Sequence, residues 1–102
     1  MKKILFILLF VILKNSSFAD DKMELGLEVF NNKAQCGTCH ALNEAGSSGN
    51  IGPNLDQIKP QIERIIMAVK NGIGVMPSWD GVLNDEEIEA VAYYVFNSTN
   101  KK

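Results

Sequence analysis

Cys36-Gly37-Thr38-Cys39-His40 is the stretch whose residue types and spacing together specify a chemistry. Two thiols three positions apart, followed at once by an imidazole, form the attachment pattern for a c-type haem. Each thiol adds across one vinyl group of the porphyrin, and vinyls on neighbouring pyrroles can be reached from positions i and i+3. His40 then lies beneath the ring, where an imidazole nitrogen can ligate iron. The chain has two cysteines and one histidine in all, and this pentapeptide uses every one.

Three other readings of the same residues stand beside it. Cys-x-x-Cys is also a thioredoxin-type redox pair, which expects a βαβ pattern around it. It is half of many zinc sites, but those want four ligands and only three candidates exist. An exported chain with two cysteines would also form a disulfide from them. The adjacent histidine and the features downstream favour haem.

Residues 1–19 read as a secretory signal. Lys2 and Lys3 make a positive start, Ile4 to Leu13 an unbroken apolar run, and Ser17-Phe18-Ala19 a small-x-small cleavage site. The run is closed by Lys14 after ten residues, against the roughly 20 that a membrane-spanning helix needs. Cleavage after Ala19 is expected. The mature chain, residues 20–102, then has no spanning segment and forms one domain of 83 residues. At that size a single core rarely suffices, and a cofactor or staple is usually needed. Export suits haem attachment, which is typically carried out beyond the cytoplasm, and the expected address is a bacterial periplasm. Without residues 1–19, seven basic residues face twelve acidic ones, a net charge of −5. That surface disfavours nucleic acid and anionic lipid and favours a partner with a basic docking patch.

The elements that must position the motif are helical. Asp20 or Asp21 can cap a first helix running to about Lys33. Leu25, Val29 and Ala34 share one face of it, with Gly26 and Phe30 beside them at i, i+4. A helical glycine costs about 1 kcal/mol relative to alanine, and close approach of another helix would give Gly26 a reason. Ala45 to Asn50 reads as a flexible loop. Pro53 follows in a Gly-Pro turn, and a turn carbonyl there could accept the second ring N–H of an iron-bound histidine. The middle helix is expected over Lys59 to Asn71, with Pro60 in its first position and a stripe of Ile62, Ile65, Ile66 and Val69. Met67 belongs with that packed stripe. Gly72 to Trp79 is an irregular loop holding Met76, whose thioether is a soft donor for haem iron. Met23 and Met67 lie on helices, so Met76 is the methionine able to wrap over the opposite face. The last helix opens with Asn84 as cap and Glu87 three residues on, and buries Ile88, Val91, Ala92 and Val95. Asn97 to Lys102 is expected to fray.

This order of parts resembles a small bacterial class I cytochrome c over essentially the whole mature chain. The likeness rests on Cys36-x-x-Cys39-His40, Gly52-Pro53-Asn54-Leu55, Met76-Pro77, Gly26 with Phe30, and Leu83 to Ile88 through Tyr94-Val95. It implies an all-α fold, with three main helices around one haem c and the first and last helices crossing. It implies thioethers at Cys36 and Cys39, iron ligation by His40 and Met76, and the Pro53 carbonyl as acceptor from His40. Trp79 would lie near the haem edge or propionates. The implied activity is one-electron transfer between an oxidase, reductase or dehydrogenase and other redox partners, not enzymatic turnover at iron. A subunit of a stable periplasmic dehydrogenase complex and a haem-free thiol–disulfide protein remain as alternatives. The acidic mature chain departs from the lysine-ring docking of the mitochondrial proteins.

Overall fold

The computed structural model describes residues 18–101. The expected export signal lies outside the described residues, apart from Phe18 and Ala19, which open helix α1, Phe18–Glu28. Asp20 and Asp21 lie in the first described turn of α1, where carboxylates suit the positive end of a helix. A π-helical turn, Val29–Lys33, prolongs α1 and is closed by the Ala34 N–H on the Val29 carbonyl at 2.8 Å. The extra residue per turn lets the adjacent Val29 and Phe30 both point inward, and both are fully buried.

The attachment motif follows as a 3₁₀ turn, Cys36–Thr38. Strands β1, Ala41–Leu42, and β2, Ser47–Ser48, pair antiparallel, Ala41 opposite Ser48 and Leu42 opposite Ser47. A second 3₁₀ turn, Asn43–Ala45, joins them. The segment expected to be a flexible loop is thus pinned by main-chain pairing. Helix α2, Leu55–Ile58, is a single turn capped by the Asn54 side chain, which accepts from the Gln57 N–H at 3.2 Å. Helix α3, Ile62–Asn71, starts later than Lys59. Lys59 closes α2 in the left-handed conformation, φ 43°, so Pro60 precedes the N-cap Gln61 and does not open the helix. Helix α4, Asp85–Thr99, carries the expected capping box: Asn84 Oδ1 accepts from the Glu87 N–H at 2.8 Å and Glu87 Oε1 from the Asn84 N–H at 2.9 Å. It does not fray at Asn97. Ser98 and Thr99 are buried, and Lys101 reaches Glu44 at 2.7 Å.

The class is all-α as expected, with α1, α3 and α4 as the main helices. Phe30, Leu42, Ile65, Val69, Ile88 and Val91 lie in one core. Met67 is not part of it: it is 61% exposed, because the buried face of α3 is the Ile65–Val69 side.

The α1–α4 contact is made at Gly26. A Cβ there would overlap the Ala90 carbonyl oxygen and the Tyr94 Cβ. One turn on, the Phe30 and Tyr94 rings stand 6.1 Å apart, tilted by 54°, a spacing at which aromatic pairs attract beyond their buried area. Gly26→Ala would gain about 1 kcal/mol of helix propensity. The clash is with backbone and a Cβ, which cannot swing aside, and overpacking of this kind costs about 1–3 kcal/mol or more. We predict net destabilisation, read from denaturant midpoints; an unchanged or higher midpoint would contradict the close approach.

Glu87 also joins the start of α4 to the π-helical turn. Its Oε2 lies 2.9 Å from Lys33 Nζ, at the end of the π-helical turn. The Asn84 N–H and then the Lys33 ammonium hold the Glu87 carboxyl below its ordinary range, and Glu87 in turn raises Lys33. A lowered carboxyl contributes stability above its unfolded pKa and loses it as pH falls through the folded value. A raised lysine contributes below its unfolded pKa and loses it as pH climbs through the folded one. Glu87→Gln is therefore expected to flatten both the acid and the strongly alkaline limbs of a stability–pH curve, with Glu89→Gln as the reference.

Candidate haem-attachment site

Gln35 enters the motif in the left-handed conformation, φ 51°, and turns the chain abruptly out of the π-helical segment. The Cys36 carbonyl then accepts from two amides, Cys39 at 3.1 Å and His40 at 3.0 Å. That coil brings i and i+3 toward the same side of the turn, so the two thiols are presented as a pair. Both cysteines are free and half-buried. Burial pushes the Cys36 thiol up to about 11.

The following loop wraps the motif. Ser47 Oγ donates to the His40 carbonyl at 3.0 Å, and the Gly52 N–H to the Cys39 carbonyl at 2.7 Å. Gly49 lies so close that a Cβ would stand 2.6 Å from the Gly37 oxygen and 2.7 Å from the Thr38 oxygen. At Gly52 a Cβ would come 2.6 Å from His40 Cε1, within the space of the imidazole itself. Next to it, His40 Nδ1 is 2.8 Å from the Pro53 carbonyl oxygen. A carbonyl can only accept, so Nδ1 carries the proton and Nε2 keeps its lone pair. The ring is thus fixed in tautomer and orientation with one nitrogen free to ligate.

Met76 sits on the second limb, in a tight turn where Ile73 and Met76 exchange main-chain hydrogen bonds at 3.1 and 2.9 Å. Gly74 supplies the positive φ of 57° that the turn requires. The Trp79 N–H donates to the Val69 carbonyl at 2.8 Å, and its own carbonyl accepts from Val82 and Leu83 at 3.0 and 2.9 Å. The Trp79 backbone is therefore the tie between α3 and the start of α4. The side chains of Cys36, Met76 and Trp79 are half-buried and pack against the same core.

Residues 21–95 match the family described as cytochrome c oxidase, cbb3-type, subunit III. The chain is 35% identical over 89 residues to cytochrome c6 of Bryopsis maxima, covering 78% of this chain and 94% of that one. It is 38% identical over 92 residues to the chloroplastic cytochrome c6 of Chlamydomonas reinhardtii, covering 80% and 57%. Among solved structures, the c-type cytochrome SorU from Sinorhizobium meliloti superposes with a TM-score of 0.75 at 49% identity, covering 80% and 95% of the two chains. The chain belongs to the class I cytochrome c family. As a cytochrome c it carries covalently attached haem c and serves haem-based electron transfer.

The donor set fits that group. Among the described residues no cluster of three or more His, Cys, Asp or Glu could hold a metal ion by itself. A haem would bring its own nitrogen donors to iron and would ask of the chain only attachment points and a ligand such as an imidazole. The free Nε2 of His40, the paired thiols and the space kept open by Gly52 meet that need. The sequence points to the Gly52-Pro53 turn, but not to Gly49, Ser47 or Gln35, nor to the close approach of Gly52 to the His40 ring. The Gly-x-x-Gly spacing of Gly49 and Gly52 before Pro53 is the signal that the sequence offers for these close approaches.

Gly52→Ala is expected to displace the His40 ring and to destabilise the folded holoprotein by about 1–3 kcal/mol. Guanidinium unfolding followed by haem absorbance and by far-UV dichroism would measure it. A midpoint equal to that of the unaltered protein would show that the ring does not need this space.

Proposed function

We propose that the chain is exported to the periplasm, is cleaved after Ala19, and carries single electrons between redox proteins with His40 and Met76 as axial ligands. The observation that carries this reading is the His40 ring, held through Nδ1 by Pro53 with Nε2 left free. The half-buried position of Met76 on a turn closed by its own main chain supports the second ligand. Lys2, Lys3, the apolar run and Ser17-Phe18-Ala19 support export. Among the described residues no helix is long and apolar enough to cross a membrane.

Haem c, bonded through Cys36 and Cys39, supplies a one-electron Fe(III)/Fe(II) couple. The chain's part is to hold that couple and set its potential. His and Met together raise it, and apolar walls disfavour the more highly charged oxidised state. With both side chains committed as ligands, the chain keeps no open position for a substrate, which supports a carrier and not a catalyst. Trp79, tied to α3 and α4 through its backbone, is placed near the haem edge or propionates in this reading. The net charge of −5 supports long-range encounter with a partner of positive potential, such as an oxidase, reductase or dehydrogenase.

Met76→Ala should abolish the weak far-red absorption of a methionine–iron(III) bond and lower the midpoint potential, while Met67→Ala should change neither. The reverse pattern would move the ligand to Met67. Intact mass of the native protein tests cleavage and both thioethers together, and co-elution with a large partner on size exclusion would replace the free carrier by a complex subunit.

A further inference from the structure

Arg64, Met67, Ala68 and Asn71 follow one another along the outward side of α3, at i, i+3, i+4 and i+7. With Gly72 and Ile73 they line a groove of about 320 Å³. Met67 is 61% exposed, Ile73 65% and Val75, on the adjoining turn, 90%. Single exposed apolar residues are ordinary. These three are grouped, and they end at the turn whose last residue is Met76.

The charge of this region opposes that of the rest of the molecule. Residues 59–76 carry Lys59, Arg64 and Lys70 against Glu63 alone, while the rest of 20–102 carries four cations against eleven carboxylates. Lys70 leans toward Asp85 at 3.7 Å. No carboxylate among the described residues pairs with Arg64, and none lines the groove.

We propose that this groove is the short-range docking surface for a redox partner protein whose contact presents an apolar side chain beside a carboxylate. The proposal rests on the electron-carrier reading and adds the contact chemistry. Methionine adapts to varied apolar shapes, and an arginine fork matches a carboxylate in two parallel hydrogen bonds. Electron-transfer complexes are small and short-lived, so one such anchor forms a large share of the contact. Net charge acts at distances of a Debye length, about 10 Å at 0.1 M salt; inside that range the local groove decides. A partner of positive overall potential with one carboxylate at the contact satisfies both conditions.

The test uses the ¹⁵N-labelled, reduced holoprotein and two end-blocked tetrapeptides, Glu-Leu-Phe-Glu and Lys-Leu-Phe-Lys. The acidic peptide is expected to shift amides between Arg64 and Val75, several-fold more weakly at 0.2 M than at 0.02 M salt. Arg64→Glu should remove that response and create one to the basic peptide; Met67→Ser should weaken the acidic peptide while leaving its salt dependence. Equal response to both peptides, no effect of Arg64→Glu, or shifts confined to the Asp80–Glu87 surface would each overturn the proposal. The haem spectrum and intact mass of the same sample report separately on the carrier reading. Their loss would sink that reading, and their retention with a failed titration would sink only the docking surface.

Discussion

The Pro53 carbonyl on His40 Nδ1 is the contact on which the rest of the site depends. As a hydrogen bond it is worth about 1 kcal/mol net, a small part of the fold's stability. Its larger effect is to choose one tautomer, because a carbonyl never donates and does not titrate. Everything in the loop from Ala41 to Pro53 serves to bring that oxygen to that nitrogen. The β1–β2 pairing shortens the loop, Ser47 and Gly52 fasten it to the His40 and Cys39 carbonyls, and the missing side chain at Gly52 lets it lie flat against the ring. A polar side chain in place of this main-chain carbonyl could orient the ring too, but it would keep its own rotamers and, for a carboxylate, its own pKa.

The two limbs that would enclose a cofactor are far apart in sequence and are held by contacts that avoid the site. Lys33, three residues before Cys36, reaches Glu87, which also caps α4. On the other side the backbone of Trp79 links α3 to the approach of α4, fixing both ends of the segment that holds Met76. Helix α4 is thus common to both limbs, and Gly26 sets how closely α1 can lie upon it.

Motif and periodicity made the main helices legible. Gly26, Phe30 and the Asn84–Glu87 box are strong because each names a physical requirement: a close approach, a ring to fill it, two orphan amides to satisfy. Pro60 suits a first helical turn in general, but α3 starts at Ile62, because Asn54 caps an earlier turn that uses up Lys59. The polar tail after Asn97 reads as frayed on composition, yet Thr99 bonds back to the Val95 carbonyl at 2.9 Å and Lys101 finds a carboxylate 57 positions away in sequence. No local pattern reports such a partner. The close approaches of Gly49 and Gly52 escape a sequence pattern for the same reason. Their role lies in what they do not touch, which only the folded loop defines.

The fold also separates the haem reading of Cys-x-x-Cys from the redox-thiol reading that the sequence left open. A dithiol exchanger acts through a thiolate, and working examples lower one thiol to around neutrality or below with a helix N-terminus or a nearby cation. Cys36 goes the other way. Burial raises it to about 11, leaving a thiolate fraction on the order of 10⁻⁴ at pH 7. The turn therefore offers Cys36 as a partly buried, protonated thiol packed against an apolar core, a poor setting for thiolate exchange. It is a fitting setting for two sulfurs that end as uncharged thioethers, since a thioether loses nothing on burial. The pocket that suppresses one chemistry of the motif is the one that the other requires.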